Sequence, residues 1–506
     1  SGYGAVIGGG RLNTASSSHA TIAGGRSNVD AGYASAVGGG FSNTVDSDFS
    51  VIAGGYYNNI TLGSKASAIG GGRFNTASAE SAVVAGGYGN ANSGYGSAVG
   101  GGISNEAASS YSVIAGGFSN RLTSGSDRGV IGGGWHNTAA SRYSVIVGGY
   151  FNNAATDSKA SAIGGGWSNV VSAPFATVAG GYGNGNSGYA STVGGGIFNT
   201  AASPYAVVNG GRSNYNIGSY SVMSGGHSNG ISNTSTASFL GGGRFNTVSS
   251  EYAVVAGGYG NSNSGHSSAI GGGISNAAAS PYAVVAGGNS NTAGFPFAVV
   301  AGGRWNDNLG YASALGGGYA NTAGSGYSVI GGGYYNSIVV GSKASVIGGG
   351  WLNSASAEYG VIAGGYGNSN SGYSSVVAGG FHNAALASSV VVAGGKANRA
   401  ALPHAVVAGG CWNDNLGYAS AIGGGMGNEV AAGYAVIGGG YYNNITVGSQ
   451  ASVVAGGWLN SASAEYGVIA GGYGNSNSGY SSVVAGGFHN AALASYAVVS
   501  GGKANT

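Results

Sequence analysis

The sequence predicts an all-β chain wound as one parallel β-solenoid, or β-roll, of about 33 rungs, and three observations lead to that prediction. Glycine supplies 111 of 506 residues, roughly three times its ordinary usage, so large side chains do not fill this fold as they fill a globular core. Taking the last glycine of each Gly-Gly or Gly-Gly-Gly cluster as a marker gives 33 markers from Gly10 to Gly502, spaced by 15 residues except for six spacings of 17. Around each marker short alternating β-branched segments recur at fixed offsets, with no run long enough for a helix. Collagen is excluded because glycine does not recur every third residue.

In chain order, each rung opens on a first strand. Five residues before the marker stands Ala, Ser or Gly in 32 of 33 rungs, Val390 being the exception. Three residues before it stands an aliphatic side chain every time: 15 Ile, 15 Val, Leu240, Leu315 and Met223. Alternate residues of a strand share a face, so both positions point into a thin interior. The residue between them points the other way, and it is Val, Ala, Thr or Phe239, never charged. A strand apolar on both faces is ordinarily buried on both. This predicts that copies pack their first strands around an axis, most simply as a homotrimer; a monomer with a weakly apolar face is the alternative.

The marker glycine is followed by a corner. Its first residue is aromatic in 18 rungs, among them Phe41, Tyr56, Trp135, Trp167, Trp351, Phe381, Trp458 and Phe488. In eight rungs it is basic: Arg11, Arg26, Arg73, Arg212, Arg244, Arg304, Lys396 and Lys503. In register these residues form a ladder of stacked rings with guanidinium groups over neighbouring rings. Such a ladder shields the corner or fills a groove between protomers; its functional reading is a repetitive stripe for stacking sugars. Three residues after the marker is Asn in all 33 rungs, including Asn13, Asn28, Asn43 and Asn505. Asn tolerates left-handed backbone, and its amides can bond to one another along a stack. Five residues after the marker, Ala, Val, Ile, Leu or Asn is the inward residue expected of a second strand, whose outward residues include Thr14, Glu106, Arg121 and Asp307.

The six longer rungs hold two-residue insertions, which a stacked array places in loops on one face. Three Asn-x-Ser/Thr sequons, at Asn59, Asn233 and Asn444, fall in these rungs and are candidate glycosylation sites in exposed loops. A 107-residue, seven-rung duplication overlies the rungs and is most evident after about residue 227, Trp351 to Val392 recurring from Trp458 to Val499. The sequence marks no domain boundary, so residues 1–506 read as one array of Gly-Gly-x-x-Asn rungs.

Composition excludes several functions. A net charge of +2 gives no footprint for nucleic acid or an anionic membrane, and apolar runs of about five residues are far short of a transmembrane helix. Catalysis needs converging groups, yet Asp46 and Asp48 have no acid one rung away, and Glu251, Glu358 and Glu465 lie seven rungs apart. His136, His227, His382 and His489 show no paired ligand spacing, and Cys411 replaces Arg304 of the earlier copy. No enzyme, metal or cofactor is expected. The chain opens at Ser1 inside a repeat, as a processed product or a piece of something longer would, and its uncapped rungs invite end-to-end pairing into a filament.

The runs Ser67-Ala68-Ile69-Gly70, Ser161-Ala162-Ile163-Gly164, Ser268-Ala269-Ile270-Gly271 and Ser420-Ala421-Ile422-Gly423 resemble the head repeats of YadA-like trimeric autotransporter adhesins and related phage and bacterial fibre β-rolls. The resemblance covers the whole chain and implies a left-handed, trimeric roll that projects from a cell surface and binds matrix or glycans. The rungs here are longer, and the chain shows no heptad stalk, neck or anchor barrel. The expected function is therefore a non-enzymatic extracellular structural fibre with an adhesive aromatic and Arg corner. The alternative is the glycan-binding head or shaft of an adhesin or phage tail fibre. Ice binding is a weaker reading, because the outward positions form no regular Thr array.

Overall fold

A computed structural model describes residues 2–506. Among the described residues there is no helix, and the chain winds as a parallel β-solenoid of about 33 turns. It divides into two compact units, Ser1–Gly258 and Tyr259–Thr506. In the first unit, 17 first strands run from Val6–Ile7 to Val254–Val255, each paired in parallel with the next, as in Val6↔Thr21 and Ile7↔Ile22. In the second unit, 16 run from Ala269–Ile270 to Val498–Val499. Second strands form a separate parallel ladder in each unit, as in Thr44↔Asn59 and Ser461↔Ser476. The longer rungs keep the register, since Val113 still meets Val130 while the extra residues turn outward between the second strand and the next first strand.

The strands are shorter than alternation suggested: every one is two residues, not about five. Three changes of direction take up the rest of each rung. Two are residues in the left-handed region, one two positions after the marker (Ser42, φ 52°) and one six before it (Phe49, φ 56°). The third is the marker glycine itself. At Gly40 (φ 91°) an added Cβ would collide with the Gly55 carbonyl of the next rung and the Asn43 amide nitrogen, so a side chain is barred by space as well as by dihedral. The residue after the marker forms a third ladder of single parallel bridges, such as Phe41↔Tyr56.

The invariant Asn does not occupy a left-handed turn, contrary to the sequence expectation; the residue before it does. Its side chain is needed inside. Asn43 is buried, accepts from the Asn58 N–H at 3.0 Å through Oδ1, and donates through Nδ2 to the Gly39 and Gly55 carbonyls at 2.8 and 2.9 Å. The same bonds tie Asn13 to Asn28 (3.0 Å) and Asn490 to Asn505 (2.9 Å), so each amide joins two successive glycine corners. A buried polar group costs little once fully paired, which is how a thin interior tolerates one per rung.

Opposite this ladder, Ile22, Ile52, Ile114 and their counterparts inside the array are wholly buried against small or aliphatic residues of the second strands, whereas Ile7 of the first rung is exposed and Val499 of the last is half-buried. In eight rungs the inward residue of the second strand is Asn, and each time Ser follows five residues later. Asn92 shows why: its Nδ2 donates to the Val83 and Ser97 carbonyls at 3.0 and 2.9 Å, and its Oδ1 accepts from the Gly94 N–H and the Ser97 hydroxyl. Asp30 takes the same seat and falls outside the residue set read from the sequence. Its carboxylate accepts from the Thr21 N–H, the Gly32 N–H and the Ser35 hydroxyl. Burial pushes its pKa above the ordinary 3.8, and the bonds from Ser35, Gly32 and Thr21 pull it partly back.

Outward residues of the first strands stay uncovered by their own chain: Val51, Val83, Val113, Val299 and Val329 are exposed, and Ala36 and Ala98 are half-buried.

Candidate functional site

The aromatic corner is positioned by the third ladder. The Phe41 N–H donates to the Gly55 carbonyl at 2.9 Å, and the Tyr57 N–H returns to the Phe41 carbonyl at 2.9 Å. With Asn turned inward, the two residues before it face out, and equal rung height brings their side chains level. In the first unit the rings of Phe118, Trp135, Tyr150, Trp167 and Tyr182 follow one another at 4.9, 5.0, 6.1 and 5.5 Å between centroids. In the second unit Tyr319, Tyr334, Trp351, Tyr366 and Phe381 follow at 4.4, 5.9, 5.2 and 4.9 Å. Its later copy runs through Tyr441, Trp458, Tyr473 and Phe488 at 5.6, 5.0 and 4.9 Å. Of these rings Trp135, Tyr150, Trp167, Tyr182, Tyr334, Trp351, Phe381, Tyr441, Trp458 and Phe488 are exposed, up to 54% for Trp167, and Phe118, Tyr319, Tyr366 and Tyr473 are half-buried.

The basic residues at this corner divide. Arg26 lies over the Phe41 ring of the next rung at 5.6 Å, as the sequence led us to expect. Arg73, Arg244 and Arg304 instead lie over the ring that follows them in sequence, Phe74, Phe245 and Trp305, at 4.9, 4.7 and 4.0 Å. Adjacent residues meet because the second sits in the left-handed turn (Trp305, φ 58°). Arg11 pairs by backbone with Arg26, and Arg212 with Ile197 and His227.

Hollows of about 520 and 360 Å3 lie on this corner, one between Gly149, Tyr150, Gly166 and Trp167 and one between Tyr441 and Trp458. A third, about 500 Å3, is lined by Gly25, Arg26, Gly40, Phe41 and Tyr56. Each joins a glycine or aromatic floor to a ring wall, a shape and chemistry suited to the apolar face of a sugar ring.

Sequence reasoning missed a second aromatic corner, six and seven residues before the marker. There Tyr33 meets Phe49 at 5.5 Å, Tyr95 meets Tyr111 at 5.4 Å, and Tyr466, Tyr480 and Tyr496 follow at 5.6 and 5.7 Å, mostly edge to face. The signal was present, since only ten of the 33 tyrosines stand directly after a marker. Coulombic repulsion, from Tyr111 first and Glu80 second, holds the Tyr95 hydroxyl above its usual pKa.

The sequons do not share one environment. Asn233 is exposed in a turn, whereas Asn59 and Asn444 belong to second strands, Asn59–Ile60 and Asn444–Ile445, and are half-buried. Their amide oxygens are buried without a partner. Only Asn233 lies in an exposed loop as expected of all three. Among the described residues no group of three or more His, Cys, Asp or Glu could hold a metal ion. No family model matches the chain, and no curated protein matches it.

Proposed function

We propose that the protein is a non-enzymatic, extracellular structural fibre protein that adheres to glycans or surfaces through its aromatic and Arg corner. The observation that supports this reading is the repetition of the corner: exposed and half-buried rings at 4.4 to 5.9 Å over five successive rungs, and hollows on the same corner at Tyr150 and Trp167 and at Tyr441 and Trp458. Backbone and Asn ladders supply stiffness. Each ring offers a weak contact, and a ligand spanning several rungs gains avidity because later contacts form at high effective concentration. The same reading assembles three chains by their uncovered first-strand faces and, with the adhesin resemblance, winds them left-handed at a cell surface.

The test replaces Trp351 and Trp458 by Ala and measures retention of the full chain on immobilised polysaccharides. Retention should fall at least tenfold; unchanged retention overturns the adhesive role. Sedimentation equilibrium at micromolar concentration should give the mass of three chains, and the mass of one chain overturns the trimer.

A further inference from the structure

In the first unit the second aromatic corner is interrupted by charge. Rings occupy it at Tyr3, His19, Tyr33 and Phe49, at Tyr95 and Tyr111, and again at Phe175, Tyr189, Tyr205 and Tyr220. Between Tyr111 and Phe175, successive rungs place Asp127, Arg128, Arg142 and Lys159 in the same register, in a chain with only 28 charged residues in 506. Arg128 takes the seat of a ring. Its guanidinium carbon lies 5.8 Å from the Tyr111 centroid and 5.5 Å from that of Tyr143, and Nη1 donates to the Tyr143 hydroxyl at 2.6 Å. Arg142 Nε lies 3.4 Å from Asp127 Oδ2, and Asp127 Oδ1 accepts from the Ser109 hydroxyl at 2.7 Å. Ser110, Tyr111, Asp127, Arg128, Arg142 and Tyr143 together line a hollow of about 300 Å3.

Arg128 is thus placed between two rings before any ligand arrives, while Arg142, its side chain 66% exposed, stands in a solvated ion pair with Asp127. Each guanidinium has five N–H donors and spends one in these bonds, which leaves forked donors matched to a carboxylate or sulfate. Two arginines against one aspartate leave a positive balance at the hollow; one rung on, where the Ala160 N–H bonds the Arg142 carbonyl at 2.9 Å, Lys159 is offset by Asp157 two residues before it. The volume lies at the lower end of small-molecule sites. A bare inorganic anion would leave much of it empty, while the exposed Tyr111 and Tyr143 rings and the Ser110 hydroxyl suit a sugar ring.

We propose that this hollow binds an acidic saccharide, its carboxylate or sulfate held by Arg128 and Arg142 and its ring packed against Tyr111 or Tyr143. The site is separate from the corner that follows the marker glycines and does not depend on the adhesive reading of that corner.

Calorimetric titration of the full chain with a sulfated hexasaccharide and a uronate-containing hexasaccharide tests the assignment, with a neutral glucose hexasaccharide and inorganic sulfate as comparison probes. At least one acidic hexasaccharide should bind, at least tenfold more tightly than either comparison probe and more weakly as salt rises. The Arg128→Ala/Arg142→Ala variant should lose at least tenfold in affinity. Because removing Arg128 also empties the ring sandwich, Arg142→Gln alone, which leaves the sandwich intact, should lose at least threefold with unchanged thermal unfolding. Absence of binding, equal affinity for the neutral hexasaccharide or for sulfate, or full affinity in Arg142→Gln would each overturn the proposal.

Discussion

Asn336, inside a rung of the second unit, and Tyr334, two residues earlier on its outer corner, share a turn and differ in how much depends on them. Asn336 is buried; its Oδ1 accepts from the Asn353 N–H at 3.0 Å, and its Nδ2 donates to the Gly332 and Gly350 carbonyls at 2.9 Å each. No other side chain offers an acceptor and two donors on so short a stem. Tyr334 is exposed and touches Tyr319 at 4.4 Å and Trp351 at 5.9 Å. Elsewhere its position holds Arg, Lys, Ile, His, Asn, Cys or Met. A repeat keeps one residue where polar satisfaction has one solution, and varies where surface contact has many.

The largest expected effect tests this contrast directly. Asn336→Ala strands the Asn353 N–H and the Gly332 carbonyl, while the Gly350 carbonyl keeps the Tyr334 N–H at 2.9 Å, and should cost about 2–6 kcal/mol at 1–3 kcal/mol per orphaned group. Tyr334→Ala removes three ring contacts, with Tyr319, Tyr335 and Trp351, at an exposed site and should cost about 1 kcal/mol. Hydrogen exchange across residues 333–365 reads both, since a solenoid opens locally through its neighbours. Equal protection loss in the two variants would break the comparison.

The period, the two strand faces and the stacked Asn were legible because each is a choice of residue type at a fixed offset. Strand length was not, because it is set by backbone turns that Ser42, Phe49 and other residues accept despite the cost of a positive φ. The corner after the marker was legible through its rings, but the pairing of Arg304 with Trp305 depends on such a turn. The Tyr corner escaped notice because its rings alternate between two positions, as at Tyr466 and Tyr480, and so never form one column in the repeat. Asp30 was overlooked among seats filled by Ala and Asn, although the serine five residues on was in view.

Asp30 sharpens the contrast from the inside. It lacks the amide donor with which Asn92 meets the Val83 and Ser97 carbonyls, and it is a buried charge. Asp30→Asn should therefore stabilise the first unit at neutral pH, by about 1 kcal/mol for one added buried hydrogen bond and the loss of the charge. The sign of the pH dependence follows from its raised folded pKa. Below the ordinary value of 3.8 the acid is neutral in both states and costs nothing. As pH climbs from there through the raised value, the unfolded chain releases its proton first, so this group lowers stability and keeps it lowered above that range. Denaturant midpoints across this window should fall for the natural protein and lose that component in the variant. A variant that is less stable at neutral pH would show that the Ser35 and backbone bonds outweigh the burial.

The smallest effect is expected outside, on the outward face of the second strands. Arg399 Nη1 and Asp414 Oδ2 lie 3.3 Å apart on neighbouring rungs, with side chains 48% and 36% exposed. Geometry alone would rank this with the Asn bonds, but water reaches Arg399 and the bonded side of Asp414, whose Oδ1 is buried without a partner, and Asp414 also faces Glu429 in register on the next rung. Like charges directly opposite offset part of the attraction. A double-mutant cycle with Arg399→Ser and Asp414→Ser should give a coupling of about 0.5 kcal/mol or less, shrinking further in salt. Asp414→Ser alone should be close to neutral, because it removes the Glu429 repulsion together with the Arg399 attraction. A coupling above about 1 kcal/mol that persists in salt would mean that the outer ladder helps hold the rungs in register, and the division between an obligatory interior and a permissive exterior would have to be redrawn at this face.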